Sequence, residues 1–307
     1  MNQKKIILFH RDFLGFTGGH LKVYDYFKHV ISSKDYQANI YFTPESIWLN
    51  NPWANLKKHI QTKWEPEMAD VLFLAGMDWF ALDELQRQNP PAPVINFIQH
   101  VRHADPECPL YQFLKYPAVR ICVSQEVSDA ILQTGIVNGS VVTSPNGMDL
   151  AILPKQVKKN IPLFIDGIKN PVFARELAKQ LEKRGLVYQL LLERVSRPVY
   201  LSYLNRSKIS VLLPHKTEGF YLPALEGMLL KSLVICPDCS GNRSFCIDDE
   251  TCFQAEYKID DFIRVIHMAK GLGRKKTEEM LESAYSFTKN FTLEKERETF
   301  LQVLENL

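Results

Sequence analysis

The chain has 307 residues, 46% of them apolar and 23% charged, with 37 Lys and Arg set against 35 Asp and Glu. That length leaves room for two domains, and the composition can bury a core, which excludes a disordered or fibrous chain. A net charge of +2 lacks the concentrated basic field that nucleic acid demands, so no nucleic-acid partner is expected. No stretch approaches the ~20 apolar residues of a membrane helix. Met1–His10 is too short an apolar run for a secretory leader, and six cysteines in a chain this long do not read as a secreted disulfide framework. The expectation is a soluble, cytoplasmic protein.

Lys4–His10 is a short apolar run ended by Arg11 and Asp12, which reads as a buried strand. The glycine loop Gly15–His20 follows, and then Val23, Tyr26, Phe27 and Val30 recur at helical spacing. Strand, loop and helix in that order open a parallel α/β unit. Ala38–Thr43, Asp70–Ala75, Pro93–Gln99, Val119–Ser124 and Ser140–Ser144 read as further strands, with helices over Asp78–Arg87 and Gln125–Gln133. A lysine-rich linker, Pro154–Asn160, separates a second series of elements. Its strands are Ile161–Ile165, Val187–Leu192, Ile209–Leu213 and Leu233–Cys236. Its helices are Pro171–Arg184, Ser196–Asn205, Leu222–Leu230, Asp260–Ala269 and Thr277–Asn290. The last segment, Leu293–Leu307, places Leu293, Phe300, Leu301 and Leu304 on one face. The fold class is therefore α/β, two successive halves with a boundary near residues 150–160. Parallel sheets of this kind take ligands outside the carboxyl ends of their strands.

Pro214–Glu226 carries the most chemistry. A strand delivers it, Gly219 suits a tight turn, and Pro223 suits the first turn of a helix, where its missing N–H costs nothing. Glu226 falls on the face of Leu222, Leu225 and Leu229, and a carboxylate on an apolar stripe needs a partner. A helix that starts differently would instead leave it exposed. Glu218 precedes the helix, whose free N–H groups suit phosphate. Two carboxylates around such a helix start suit a phosphorylated, hydroxyl-rich ligand.

Glu218-Gly219-Phe220-Tyr221-Leu222-Pro223-Ala224-Leu225-Glu226 resembles the E-x7-E element of retaining glycosyltransferases of GT-B fold, family 4. Gly18-Gly19, Val123–Val127, Pro145–Asp149, Gly227–Leu230, Leu233–Ile235 and Ser240–Arg243 extend that resemblance over most of the chain. It implies a GT-B architecture, two Rossmann-like domains facing across a cleft. Residues 1–153 would form an acceptor-side domain and 154–290 a nucleotide-sugar-binding domain. Residues 291–307 would be a helix packing back on the first. The implied reaction is metal-independent transfer of a hexose, with retention, from a nucleoside-diphosphate sugar to a hydroxyl of a glycan, polysaccharide or lipid-linked acceptor. No cofactor beyond that donor is implied.

By position, Glu226 would bind ribose hydroxyls, Glu218 would lie beside the donor sugar, and the amides of Gly219, Phe220, Tyr221 and Leu222 would meet the diphosphate. Gly18 and Gly19 would let the first loop approach the phosphates, with glycine's freedom at positive φ in support. An ordinary turn before a helix is the plainer alternative. His100, at the end of the strand Pro93–Gln99, would serve catalysis, with His103 as its competitor. His215 would touch nucleotide or sugar, or only backbone. The chain departs from the family at Ile168, where an arginine is expected. Lys169, Arg175 and Arg194 are the substitutes for neutralising a leaving diphosphate, which needs positive charge or helix dipoles. That departure motivates the alternative, a non-catalytic nucleotide-sugar or glycan-binding protein on the same fold.

Cys236, Cys239, Cys246 and Cys252 have spacing that could form a tetrahedral zinc site. Their setting in an apolar strand and turn favours buried free thiols, so no metal is expected. The basic clusters Lys57–His59, Lys155–Lys159 and Arg274–Lys276 read as solvated surface, one of which could also give peripheral contact with anionic lipid. No G-x-G-x-x-G follows a strand, which disfavours an NAD dehydrogenase.

Overall fold

The computed structural model describes residues 4–307. The chain divides into two compact units, Met1–Gly147 with Leu293–Leu307, and Met148–Thr292. The first boundary thus falls six residues before the expected one.

The first unit opens with β1 (Lys5–Arg11), α1 (Gly18–Ile31), β2 (Tyr36–Phe42), β3 (Ile60–Gln61) and β4 (Val71–Ala75). It continues through α2 (Glu84–Gln88), β5 (Val94–Ile98), β6 (Val119–Cys122), α3 (Gln125–Leu132) and β7 (Val141–Thr143). The strands form one sheet in the order β3-β2-β1-β4-β5-β6-β7, paired in parallel throughout. β4 and β5 are buried at every position, which is why they read as unbroken apolar runs rather than alternating ones. Val23, Tyr26, Phe27 and Val30 of α1 are buried, as their spacing predicts. Phe9 stacks on Phe73 with centroids 4.5 Å apart and meets the edge of Phe27 at 5.1 Å.

Asp78–Arg87 is not the single helix expected. A 3-10 turn, Gly76–Ala81, precedes the short α2. Asp78 folds back to accept the Ala75 N–H at 2.9 Å, and Asp83 starts a fresh helix by accepting from Gln86 N at 2.8 Å. Side-chain acceptors of this type compete with the backbone and punctuate helices.

The second unit runs β8 (Ile161–Asp166), α4 (Pro171–Glu182), β9 (Gln189–Leu191), α5 (Arg197–Arg206), β10 (Ser207–Leu212), α6 (Leu222–Leu229), β11 (Leu233–Ile235), α7 (Ile259–Gly271) and α8 (Arg274–Thr288). Its sheet is again parallel, in the order β11-β10-β8-β9. β8 and β10 are neighbours in space but not in sequence, so the connections leave them in opposite senses. That is a topological switch point, where the loops at the carboxyl ends part and leave room for a ligand.

The final helix, α9 (Leu293–Glu305), belongs to the first unit. Phe300 packs edge-on against Tyr26 and Phe73. Leu301 is only half-buried, and Glu296 and Val303 take inward positions instead. Glu296 is paid for by a buried network: Lys22 Nζ lies 2.6 Å from it, His29 Nε2 2.9 Å, and the Gly147 N–H donates to it at 2.7 Å. Lys22 also reaches Asp25 at 3.0 Å and the Gly147 carbonyl at 2.9 Å. Among the described residues no helix is long and apolar enough to cross a membrane.

Candidate functional site

The carboxyl end of β8 supplies Asp166, Gly167, Ile168 and Lys169 before Asn170 caps α4 by accepting from Phe173 N. Gly167 has no substitute: a Cβ there would stand 2.3 Å from the Ala174 Cβ. Asp166 is buried and accepts from the Tyr200 hydroxyl at 2.7 Å and the Ile168 N–H at 3.1 Å. Burial pushes its pKa above the ordinary value of 3.8, against the pull of those two hydrogen bonds.

The loop after β10 lies across the switch point. Its shape is set by a second segment, Ser240-Gly241. Ser240 N donates to the Lys216 carbonyl at 3.1 Å and Tyr221 N to the Gly241 carbonyl at 2.8 Å. A Cβ on Gly241 would come within 2.5 Å of Phe220 N and 2.7 Å of the Gly219 carbonyl carbon. Phe220 is anchored against Phe245 and Phe291. α6 then starts at Leu222 with Pro223 in its first turn.

Both glutamates are buried, Glu218 to 7% and Glu226 to 1% exposure, and each has its own cation. Lys169 Nζ sits 2.5 Å from Glu218 Oε1 and 5.3 Å from the centre of the Tyr221 ring. Arg197 Nη2, from the first residue of α5, sits 2.5 Å from Glu226 Oε1. Apart from this ion pair, Glu226 Oε1 and Arg197 Nε are buried without a hydrogen-bond partner among the described residues. Burial raises the Glu226 pKa and Arg197 opposes the shift, while nearby Asp166 adds to it. Asp166, Tyr200, Arg197 and Glu226 thus form one polar group, its two carboxyls buried and Arg197 and Tyr200 half-buried.

The second unit therefore brings Lys169, Glu218, Gly219, Phe220, Tyr221, Leu222 and Glu226 to the carboxyl ends of β8 and β10. His215 is exposed and lines a pocket of about 520 Å³ with Asn170, Phe173, Lys216 and Tyr257. Arg194 and Arg175 are exposed, one in the loop before α5 and the other on α4. Arg197 was not anticipated. A cation at a helix N-terminus opposes the helix dipole, and that mismatch is the signal in the sequence that Arg197 has another task.

In the first unit Gly18 and Gly19 open α1, where Thr17 caps the helix by accepting from His20 N at 3.2 Å. The expected positive φ is not found there: both glycines are helical. What glycine leaves is open space, since a Cβ on Gly18 would meet nothing within 4 Å. His100 is half-buried and immediately precedes a 3-10 turn, Val101–Ala104, after β5, without capping it through its side chain. His103 is 3% exposed, and burial, with the positive charges of its neighbours, pushes its pKa down to about 3. It is a neutral core residue at ordinary pH. A buried group that sequence reasoning missed lies at the end of β1, where Asp78 meets His10 Nδ1 at 3.2 Å and Arg11 Nη1 at 3.3 Å.

Cys236, Cys239, Cys246 and Cys252 are buried free thiols. Burial pushes the thiols of Cys239 and Cys246 upward, and the Asn242 amide donates to Cys236 Sγ at 3.2 Å. Among the described residues no three His, Cys, Asp or Glu side chains are grouped to hold a metal ion.

Asp166→Asn is expected to stabilise the protein increasingly as pH rises. The folded carboxyl holds its proton more tightly than the unfolded one, so wild-type stability falls from pH 3.8 upward as that proton is lost. Asparagine has no such loss. Thermal melts of both proteins from about pH 4 to about pH 8, spanning the ordinary carboxylate range, check this. A wild type that gains on the variant with rising pH would show that the carboxylate is favoured in place.

No family model matches the chain, and no curated protein matches it. Solved structures do. HepE of Anabaena in complex with UDP-glucose is similar over 98% of this chain and 100% of its own, at 13% identity and a TM-score of 0.75. Sucrose-phosphate synthase of Thermosynechococcus elongatus is similar over 99% of each chain, at 11% identity and a TM-score of 0.71. A glycosyltransferase of Rickettsia africae is similar over 99% of each, at 14% identity and a TM-score of 0.72. The fold is that of GT-B glycosyltransferase structures.

Proposed function

We propose that the chain is a glycosyltransferase. It moves a hexose from a nucleoside-diphosphate sugar to a hydroxyl of a glycan, polysaccharide or lipid-linked acceptor, with retention and without a metal ion. The observation that carries this is the pair of buried carboxylates at the switch point, each with its own cation. The buried Glu226 Oε1 and Arg197 Nε together offer an acceptor and a donor, which is what a sugar hydroxyl needs. Glu226 therefore takes the ribose. The Gly219 and Phe220 amides, just ahead of α6, take the diphosphate, since the Tyr221 and Leu222 amides expected beside them are held by the Gly241 and Phe220 carbonyls, and Lys169 shares its charge with it. Glu218 faces the sugar and stabilises positive charge that develops on the ring in the transition state. In the first unit His100 is the proposed catalytic histidine, and Gly18 and Gly19 leave room for phosphate. HepE is seen with UDP-glucose and with UDP, which supports a uridine donor as the first to test.

A second reading, a non-catalytic nucleotide-sugar-binding protein, is favoured by one observation. Ile168 replaces the expected arginine, and Lys169 is already engaged by Glu218.

Calorimetric titration with UDP, beside assays of UDP release from UDP-glucose, tests both. Glu226→Gln is expected to weaken UDP binding about tenfold to a hundredfold, the cost of a charge-assisted hydrogen bond of about 1.5–3 kcal/mol. Glu218→Gln leaves UDP affinity nearly unchanged and lowers turnover. Turnover persists in EDTA. Tight binding with no release of UDP would favour the second reading. A folded protein in which neither substitution alters binding or turnover would remove the site from this position.

A further inference from the structure

The loops at the carboxyl ends of β1 and β2 carry an apolar ridge. Leu14 is 63% exposed, Ile47 44%, Trp48 49% and Leu49 76%. The ridge is held in shape. Ile47 N donates to the Phe13 carbonyl at 2.7 Å, and Phe13 N to Ser46 Oγ at 2.9 Å. Trp48 meets the edge of Phe42 at 5.3 Å, and the Asn51 N–H closes a turn on the Trp48 carbonyl at 3.2 Å. Trp48 also lines a groove of about 440 Å³ with Ala54, Lys57 and Ile60. Lys57, Lys58 and Lys63 are exposed and, among the described residues, make no ion pair. Glu45 is the one carboxylate within the loop 43–56.

The cluster Arg274–Lys276 and Lys159 are engaged within the fold. Arg274, Lys275 and Lys276 pair with Glu278, Glu279 and Asp249, and Lys159 donates to the Leu230 carbonyl at 2.5 Å. Lys155 and Lys158 are also exposed and, among the described residues, make no ion pair, but no aromatic residue stands within 150–160; the cluster at Lys57 is set apart by unpaired charge beside the exposed ring of Trp48.

We infer that this ridge docks the first unit on an anionic lipid bilayer. Apolar side chains that insert at the headgroup boundary, flanked by lysines that meet lipid phosphates, are what interfacial binding requires. The long lysine stems can lie along apolar surface while their ammonium groups stay among the phosphates. The inference does not depend on sugar transfer and can fail separately from it.

The full chain is sedimented with vesicles of phosphatidylcholine alone and of phosphatidylcholine mixed equally with phosphatidylglycerol. Binding is expected only to the mixed vesicles and weakens with salt. Each lysine near the surface contributes about fivefold in affinity, so Lys57→Glu with Lys58→Glu lowers binding by at least about twenty-five-fold. Trp48→Ser with Leu49→Ser abolishes it. Both pairs of substitutions lie on exposed loop or turn residues, and an unchanged melting temperature confirms the fold. Absence of binding to the anionic vesicles overturns the inference, as does binding that both variants retain. A concentration-dependent dimer in ultracentrifugation that the Trp48→Ser, Leu49→Ser variant dissolves, with no vesicle binding, would assign the ridge to a second copy of the chain instead.

Discussion

Lys22→Met is expected to destabilise the first unit by about 3–5 kcal/mol, the usual cost of removing one partner from a buried ion pair. Lys22 is 1% exposed and Glu296 2%. Without the lysine, Asp25 keeps Lys28 at 3.0 Å, but Glu296 keeps only His29 and the Gly147 N–H. A buried carboxylate is then left short of charge. All four tryptophans, Trp48, Trp53, Trp64 and Trp79, lie in the first unit. Urea unfolding followed by tryptophan fluorescence therefore reads this unit alone. Lys22→Met with Glu296→Leu should recover much of the loss, because an apolar pair of similar volume needs no compensation. A single variant as stable as wild type would show that the network contributes nothing.

Arg197→Met is expected to cost the second unit a similar amount at neutral pH, about 3–5 kcal/mol. Glu226 is buried on α6, and Arg197 is its cation. The sign with pH follows from burial. Glu226 alone has its pKa raised further, so the loss is present while the carboxylate is ionised and shrinks as pH falls and it takes up a proton. Circular dichroism should show the change while tryptophan fluorescence does not move. Arg197→Met with Glu226→Leu should restore stability but not nucleotide binding, which separates the structural role of the pair from its proposed use. A loss that is independent of pH would mean that the methionine disturbs packing rather than charge.

The strands were legible because a parallel sheet covered on both faces writes itself as unbroken apolar runs, as in Val71–Ala75 and Val94–Ile98. The Glu218–Glu226 element was legible because its carboxylates sit at fixed places on one turn and one helix. The partners were not. Lys169 and Glu218 are 49 residues apart, and nothing local in a sequence says which distant cation turns toward a buried acid. The same holds for Lys22 and Glu296, whose helices look amphipathic with polar residues at those points. Gly18 and Gly19 show a further limit. A glycine pair after a strand suggests an unusual backbone, yet here the backbone is helical and a Cβ would fit at either position. The broken helix at Asp78 escaped because its acceptor bonds to a backbone N–H, a choice made by geometry rather than by periodicity.

The place of α9 has a consequence for how the chain is made. The first unit is the earlier one to leave the ribosome, but it lacks its own last helix until residues 293–305 follow. Until then Lys22 and Tyr26 have no Glu296 or Phe300 to pack against. Domains generally fold as units during synthesis, and partly built ones expose apolar surface. The second unit, continuous from Met148 to Thr292, can complete itself first. The part of the chain that is translated first is therefore the part that finishes folding last.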